Sequence, residues 1–200
     1  MRKSREEAAQ TRVRIVETAS QQFRSKGLDG TGVSDLMSAA GLTHGGFYRH
    51  FESKDALISE ACTRAIQDIG AVVGQSAALE AGQPINVKKA IQSYLSPAHL
   101  HNVAQGCPFA ALGSDLARGS EPVRNSATEG FKAVVTAMAE EGVRRGEKDA
   151  WTNALGVATS LIGALSMARM VNDPDLAERI LAEARTRLTK LERESRRKLA

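Results

Sequence analysis

The stretch GLTHGGFYRHFESKDAL, residues 41–57, decides how this chain folds. It places two adjacent glycines, Gly45 and Gly46, at the start of a short predicted helix whose inner face carries Phe47 and Phe51. A glycine inside a helix costs about 1 kcal/mol relative to alanine. Helix stability therefore does not explain the pair, and the flanking residues must supply another reason.

Amphipathic helices flank this stretch on both sides. Apolar residues recur every four positions from residue 5 to residue 26, which predicts a first helix. Thr31 is a candidate N-cap for a second helix, which ends at Gly41. Thr43 and Ser53 are candidate N-caps for a third and a fourth helix.

Helical patterns also account for the rest of the chain. Residues 71–84 are rich in Ala, Gly and Ser, which predicts the end of a helix and a loop. Apolar faces of helical period follow at residues 87–95, 109–117, 123–138, 150–172 and 176–191. No segment alternates as a strand would, so the sequence predicts an all-α fold with eight to ten helices.

Charge and cysteine content exclude several classes of protein. The net charge of +4 is mild, so any contact with nucleic acid must come from local placement of charge. Cys62 and Cys107 are too few for a disulfide framework, and Cys62 lies on the apolar stripe of the fourth helix, which predicts a buried thiol. The charged N-terminus is unlike a signal peptide, and Ala154–Val171 carries Arg169 and is predicted to be a buried helix. We expect a cytoplasmic protein that has no membrane partner.

The second and third helices are joined by Gly41-Leu42-Thr43, which is the spacing of a helix-turn-helix. In such a unit, the first residues of the second helix lie nearest the base edges of DNA. His44 can donate or accept a hydrogen bond there. Gly45 and Gly46 remove the bulk that would hold the helix away from the groove.

Residues around this helix start are suited to phosphate contact. Tyr48, His50 and Lys54 offer hydrogen-bond donors, and so does the Thr43 hydroxyl. The alternative is a surface helix pair within a larger bundle, and spacing alone does not decide between the two.

The segment from Arg12 to Leu57 resembles the DNA-binding domain of TetR-type transcriptional regulators. The resemblance covers about a quarter of the chain and is specific in its spacing. Beyond this segment the chain agrees with the family only in its helical pattern and its length. The residues that carry the resemblance are Ile15, Ala19, Phe23, Gly27, Thr31, Val33, Leu36, Ala40-Gly41, Phe47-Tyr48, His50-Phe51, Ser53-Lys54 and Ala56-Leu57.

The resemblance implies a homodimer that binds a palindromic double-stranded DNA operator. It implies a DNA-binding domain at residues 1–56, with the helix-turn-helix at about 31–51, and a ligand-binding and dimerisation domain at residues 57–200. The groove-facing residues would be Ser34, Thr43, His44, Gly45 and Gly46, and the phosphate contacts would be Tyr48, His50 and Lys54. Gly46 departs from many family members, which have a side chain there. Arg2, Lys3 and Arg5 could form a basic arm, and a solvated tail is the alternative.

The last two helices are candidates for the dimer interface. Ala154–Val171 is apolar around much of its circumference and includes small residues that allow close approach. A second stripe comes from Leu176, Ile180, Leu188 and Leu191. Two such helices from each subunit would form an isologous four-helix interface. The alternative is an internal core helix of a monomer.

Two readings of the effector site remain open. Cys107 follows Gly106, and the resemblance includes a subgroup with a Gly-Cys motif at this place. A cysteine at a helix start should have a lowered thiol pKa, because the helix dipole stabilises the thiolate. This first interpretation therefore favours a sensor of electrophiles or oxidants. The other reading is an apolar pocket for a small molecule, lined by Tyr94, Leu95, Phe109, Leu112, Phe131, Val135 and Trp151. His99, His101 and Cys107 form only a weak metal pattern, so we expect no metal and no cofactor.

The leading hypothesis is therefore a repressor that is released from DNA by a small apolar ligand or by cysteine modification. A cysteine-dependent enzyme using Cys107 is an alternative, but the sequence offers no recognisable acid to orient His99 or His101. An interaction module with a vestigial helix-turn-helix is another. We expect a protein without enzymatic activity.

Overall fold

The computed structural model describes residues 5–77 and 86–199. Arg2 and Lys3 of the candidate basic arm, and most of the loop expected before Pro84, lie outside these residues. Nine α-helices and one 3-10 helix make up the described part, and no strand occurs in it. The prediction of an all-α chain with eight to ten helices is confirmed. The α-helices are α1 (Arg5–Lys26), α2 (Val33–Ala39), α3 (Lys54–Ala77), α4 (Val87–Tyr94), α5 (Pro97–His101), α6 (Pro108–Arg118), α7 (Glu121–Arg144), α8 (Ala150–Met170) and α9 (Pro174–Leu199), and the 3-10 helix (His44–Arg49) lies between α2 and α3.

The helix caps agree with the sequence at some positions and not at others. The Ser53 hydroxyl accepts a hydrogen bond from the Ala56 N–H at 3.1 Å, so this cap is confirmed. Thr43 occupies the N-cap position of the 3-10 helix, but its side chain makes no capping hydrogen bond. The prediction for Thr31 is wrong: Gly32 is the N-cap of α2, and the buried Thr31 hydroxyl donates to the carbonyl of Gly27 at 2.8 Å.

One apolar core joins the N-terminal helices to the helices that follow. It begins with α1, α2 and the 3-10 helix, through buried residues such as Phe23, Leu36 and Phe47. It continues into α3 with Cys62, which is 3% exposed, as the sequence predicted. The same cluster includes Leu112, Leu116 and Val123 from α6 and α7. The core of the N-terminal helices therefore continues onto α6 and α7.

Two further clusters form the rest of the molecule. Residues of α4, α8 and α9 surround Leu95 and Leu165, neither of which is exposed. Val135 and Ala154 belong to the cluster between α7 and α8. In the part of the chain that the structure describes, no helix is long and apolar enough to cross a membrane.

Candidate DNA-binding and effector sites

The 3-10 helix is held by two phenylalanines that turn its other side chains outward. Phe47 is fully buried, and its ring stacks on that of Phe51 with 5.6 Å between centroids. The Tyr48 ring meets the Phe47 ring edge-to-face at 5.2 Å, yet Tyr48 is 70% exposed. This arrangement fixes the helix while leaving a polar ring free to contact another molecule.

The predicted groove-facing residues lie at the surface, with one difference between the two glycines. Ser34, Thr43 and His44 are exposed. A Cβ atom added at Gly45 would meet nothing within 4 Å, whereas one at Gly46 would lie 3.5 Å from the Cε of Met37. Gly45 therefore faces open space and Gly46 faces α2. Only at Gly45 does the missing side chain let another molecule come closer to the helix backbone.

Lys54 and His50 are fixed by contacts within the domain. The Lys54 ammonium donates to the carbonyl of Leu28 at 2.6 Å, and two of its three N–H groups remain for other acceptors. The carbonyl of His50 accepts from Nε of Arg12 at 3.3 Å. Both residues that are predicted to contact phosphate therefore lie beside the 3-10 helix. Lys54 is held through its side chain, and His50 is held through its backbone carbonyl.

Arg12 is a site residue whose role the sequence analysis missed. Its guanidinium forms a bidentate ion pair with Glu60 of α3 and lies 4.5 Å from the centre of the Phe51 ring. The hydrogen bond with Glu60 raises the pKa of Arg12. Arg12 thereby connects α1 and α3 across the end of the 3-10 helix. Glu60 lies 48 residues away in sequence, so no local pattern could have shown the pair.

Two polar contacts join the end of α1 and the turn after it to the segment around α6. The N–H of Leu28 donates to Oδ2 of Asp115 at 3.1 Å. The buried guanidinium of Arg24 donates from Nη1 to the carbonyl of Gly106 at 3.0 Å, and desolvation lowers the pKa of Arg24. The second contact ends on the residue immediately before Cys107.

Cys107 is buried, and its thiol is not activated. It is 3% exposed, and burial raises the pKa of the Cys107 thiol; the nearby Tyr94 hydroxyl and the first N–H groups of α6 lower that pKa by less. The prediction of a lowered thiol pKa is therefore wrong, because desolvation outweighs the helix start.

His99 acts as a backbone support. Its Nε2 accepts from the N–H of Cys107 at 2.9 Å, and its Nδ1 lies 2.7 Å from the Tyr94 carbonyl, to which it can only donate. Burial lowers the pKa of His99, which agrees with this neutral tautomer. With both ring nitrogens engaged, His99 neither binds a metal nor takes the Cys107 proton. This geometry does not favour a cysteine-dependent enzyme, and the described residues contain no group suited to hold a metal ion.

The predicted pocket residues are spread over several clusters. Tyr94, Leu95 and Cys107 lie in the α4–α8–α9 cluster, Leu112 lies in the N-terminal core, and Val135 lies between α7 and α8. Phe109 links two of these clusters and meets Phe131 edge-to-face at 5.6 Å. Trp151 stands apart at the start of α8 and is 51% exposed.

Two family models match separate parts of this chain. Residues 15–61 match the model of bacterial regulatory proteins of the tetR family. Residues 86–187, half of the chain, match the model of the tetracyclin repressor-like C-terminal domain. The chain belongs to the TetR family.

Individual relatives of this TetR-family chain share about a third of its residues over the segments that align. It is 33% identical over 90 residues to the HTH-type transcriptional regulator AcrR of Shigella flexneri, and 31% identical over 118 residues to the HTH-type transcriptional repressor DhaR of a Mycobacterium species. These matches cover 45% and 58% of this chain, and 42% and 58% of the relatives. A TetR transcriptional regulator from Chloroflexus aurantiacus has a similar structure, with a TM-score of 0.73 and 26% identity over 92% of this chain and 96% of that one.

Proposed function

We propose that this protein is a transcriptional repressor that binds a palindromic double-stranded DNA operator as a homodimer. The observation that carries the proposal is the exposed 3-10 helix, anchored by buried Phe47 and Phe51 with His44 and Tyr48 on its outside. The direction of control is taken from similarity to DhaR, which is named a repressor. Residues 1–56 would form the DNA-binding domain and residues 57–200 the effector and dimerisation domain.

The DNA contacts divide into base reading and phosphate binding. His44 is the large polar side chain at the start of the 3-10 helix, so it would read base edges with Ser34, Thr43 and the open surface at Gly45. Gly46 lies on the side of the same helix that faces Met37 of α2. Tyr48, His50 and Lys54 would hold the phosphates and set the register of the protein on the duplex.

The dimer would form through the exposed sides of α8 and α9. Gly156, Ser160 and Gly163 are exposed along α8, and the stripe continues to Met167 and Met170, which are 46% and 68% exposed. On α9, Leu176 and Leu191 are 42% and 57% exposed. Exposed large apolar side chains on two adjacent helices, with small residues between them, are suited to a two-fold interface.

Release from DNA would begin in the C-terminal domain. A small apolar ligand at the α4–α8–α9 cluster would shift the segment at Gly106 and Cys107, and an electrophile would do so only after the buried Cys107 thiol became exposed. The bonds from Arg24 to Gly106 and from Leu28 to Asp115 would carry that shift to the helix-turn-helix.

A binding experiment on the DNA upstream of the protein's own gene tests the proposal. We expect a protected palindrome whose affinity falls steeply as salt concentration rises, because phosphate contacts release counterions. Unrelated DNA of the same length is the control. Equal affinity for both DNAs at every salt concentration would contradict the repressor assignment.

A further inference from the structure

Two buried hydrogen-bond donors near Cys107 have no acceptor of regular geometry among the described residues. Tyr94 is 8% exposed, and its hydroxyl is one of them. Nη1 of Arg169 is likewise buried and without a partner. Buried polar groups in folded proteins are nearly always hydrogen-bonded, so a pair of unsatisfied donors calls for an acceptor.

The two donors flank the same short segment. Arg169 donates from Nη2 to the carbonyl of His99 at 2.7 Å and from Nε to that of Leu100 at 3.3 Å. A Cβ atom at Gly106 would lie 2.6 Å from Nη2, so the guanidinium packs directly on the backbone before Cys107. The Tyr94 hydroxyl lies close enough to the Cys107 thiol to interact with it, but the two do not form a hydrogen bond of regular geometry.

The positive charge of Arg169 is not neutralised within the described residues. Among the described residues, the hydrogen-bond partners of Arg169 are carbonyl oxygens, and it forms no ion pair there. Burial raises the pKa of both the Tyr94 hydroxyl and the Cys107 thiol, so both stay neutral near pH 7. Desolvation lowers the pKa of Arg169, which shows that the uncompensated cation is costly. The missing acceptor should therefore carry a negative charge.

The surroundings of the two donors are apolar. Leu95 and Leu165 are fully buried in the same cluster as Tyr94, and Ile91 and Leu161 lie there too. An inorganic anion would gain nothing from these side chains, whereas the hydrocarbon part of an organic acid would be stabilised by them.

We propose that Tyr94 and Arg169 form the polar end of an effector site for an organic acid with an apolar body. The carboxylate accepts hydrogen bonds from the Tyr94 hydroxyl and from Nη1 of Arg169, and the apolar body packs among the leucines of this cluster. Its role as an effector site rests on the proposed function, while acid binding itself does not. Arg169 touches the segment that Arg24 of α1 also touches, so the bound acid acts on the backbone at Gly106.

Benzoate and octanoate are the probes, with benzamide as the uncharged counterpart of benzoate. Isothermal titration without DNA should show binding of at least one acid to the wild-type protein, and much weaker binding of benzamide. Tyr94→Phe removes only the hydroxyl and should weaken acid binding about tenfold, since a hydrogen bond to a charged group is lost. Arg169→Gln should weaken it further. Arg124→Gln removes an exposed arginine of α7 and should leave acid binding unchanged.

Several outcomes would overturn this assignment. They are failure of both acids to bind, equal binding of benzamide, or undiminished binding to Tyr94→Phe. If Arg169→Gln does not fold, Tyr94→Phe decides alone, because the ring that packs is retained. Operator binding is measured separately without acid: its loss in the wild-type protein contradicts the repressor function, whereas loss of acid binding with DNA binding intact contradicts only the acid site.

Discussion

Leu28 and Asp115 are joined by a hydrogen bond of 3.1 Å from the Leu28 N–H to Oδ2 of the carboxylate. Leu28 also accepts from Lys54 through its carbonyl, so a single peptide segment lies between the carboxylate of α6 and a predicted phosphate contact. The turn after α1 therefore connects α6 with Lys54 at the start of α3.

Replacing Asp115 with Ala should remove this link. The Leu28 N–H would lose its acceptor in a place where Leu28 is 6% exposed, and we expect the free energy of unfolding to fall by about 1–3 kcal/mol. Urea unfolding measures the change. Asp115→Asn keeps an oxygen acceptor and should cost less. Arg118→Ala removes the other partner of Asp115, which is exposed, and should have a small effect. An effect of Arg118→Ala as large as that of Asp115→Ala would contradict the assignment.

Gly27→Ala and Gly41→Ala form a matched pair. Both glycines have positive φ, 78° and 70°, a conformation that costs about 1–2 kcal/mol for a residue with a Cβ. A Cβ at Gly27 would also lie 3.0 Å from Oδ2 of Asp115, whereas one at Gly41 would meet nothing within 4 Å. We therefore expect Gly27→Ala to be the more destabilising in urea unfolding. Equal losses would show that the contact with Asp115 relaxes without cost.

Variants in the 3-10 helix and at the start of α3 should separate base reading from phosphate binding. Tyr48→Phe and Lys54→Met should weaken binding to all DNA sequences alike and reduce the dependence on salt. His44→Ala should change which operator variants are preferred. Fluorescence anisotropy with a set of single-base operator variants measures both effects. A uniform loss for His44→Ala would contradict its role in base reading.

The buried thiols should make stability fall at alkaline pH. Burial raises the pKa of Cys62 from 9.0 to about 11, and it raises that of Cys107 as well. Because the folded state holds these protons more tightly, their contribution is fully present below pH 9 and is lost as pH rises toward the folded pKa values. For Cys62 the loss approaches about 2–3 kcal/mol above pH 11. Urea unfolding at pH 8 and pH 10.5 should show a smaller decline for Cys62→Ala than for the wild-type protein, and equal declines would refute the shift.

The proposed dimer interface can be tested with charged substitutions of equal exposure. Met170→Glu places a charge on the exposed side of α8 and should shift the protein toward monomer in sedimentation equilibrium. Val143→Glu changes a side chain of α7 that is similarly exposed, 65% against 68%, and lies outside the proposed interface. A wild-type protein that sediments as a monomer, or the same shift in both variants, would contradict the interface.

Local features of this chain could be predicted from sequence, and distant contacts could not. Ser53 caps its helix as expected because capping involves a residue only three positions away. Thr31 fails the same rule because its hydroxyl reaches back to Gly27. The thiol pKa of Cys107 was predicted in the wrong direction, since burial depends on the packing of helices far apart in sequence. The pairs Arg12–Glu60 and Leu28–Asp115 span 48 and 87 residues, and no sequence period connects them.

The core shared by the helix-turn-helix and α6 also bears on how such proteins diversify. One cluster contains Phe23 and Phe47 together with Leu112, Leu116 and Val123. The N-terminal helices therefore cannot be exchanged without changing the packing on α6 and α7. A chimera that takes its first helices from one relative and its C-terminal domain from another would also need matching side chains in this shared cluster. Under the proposed function, operator preference and effector response would therefore change together, through these buried side chains.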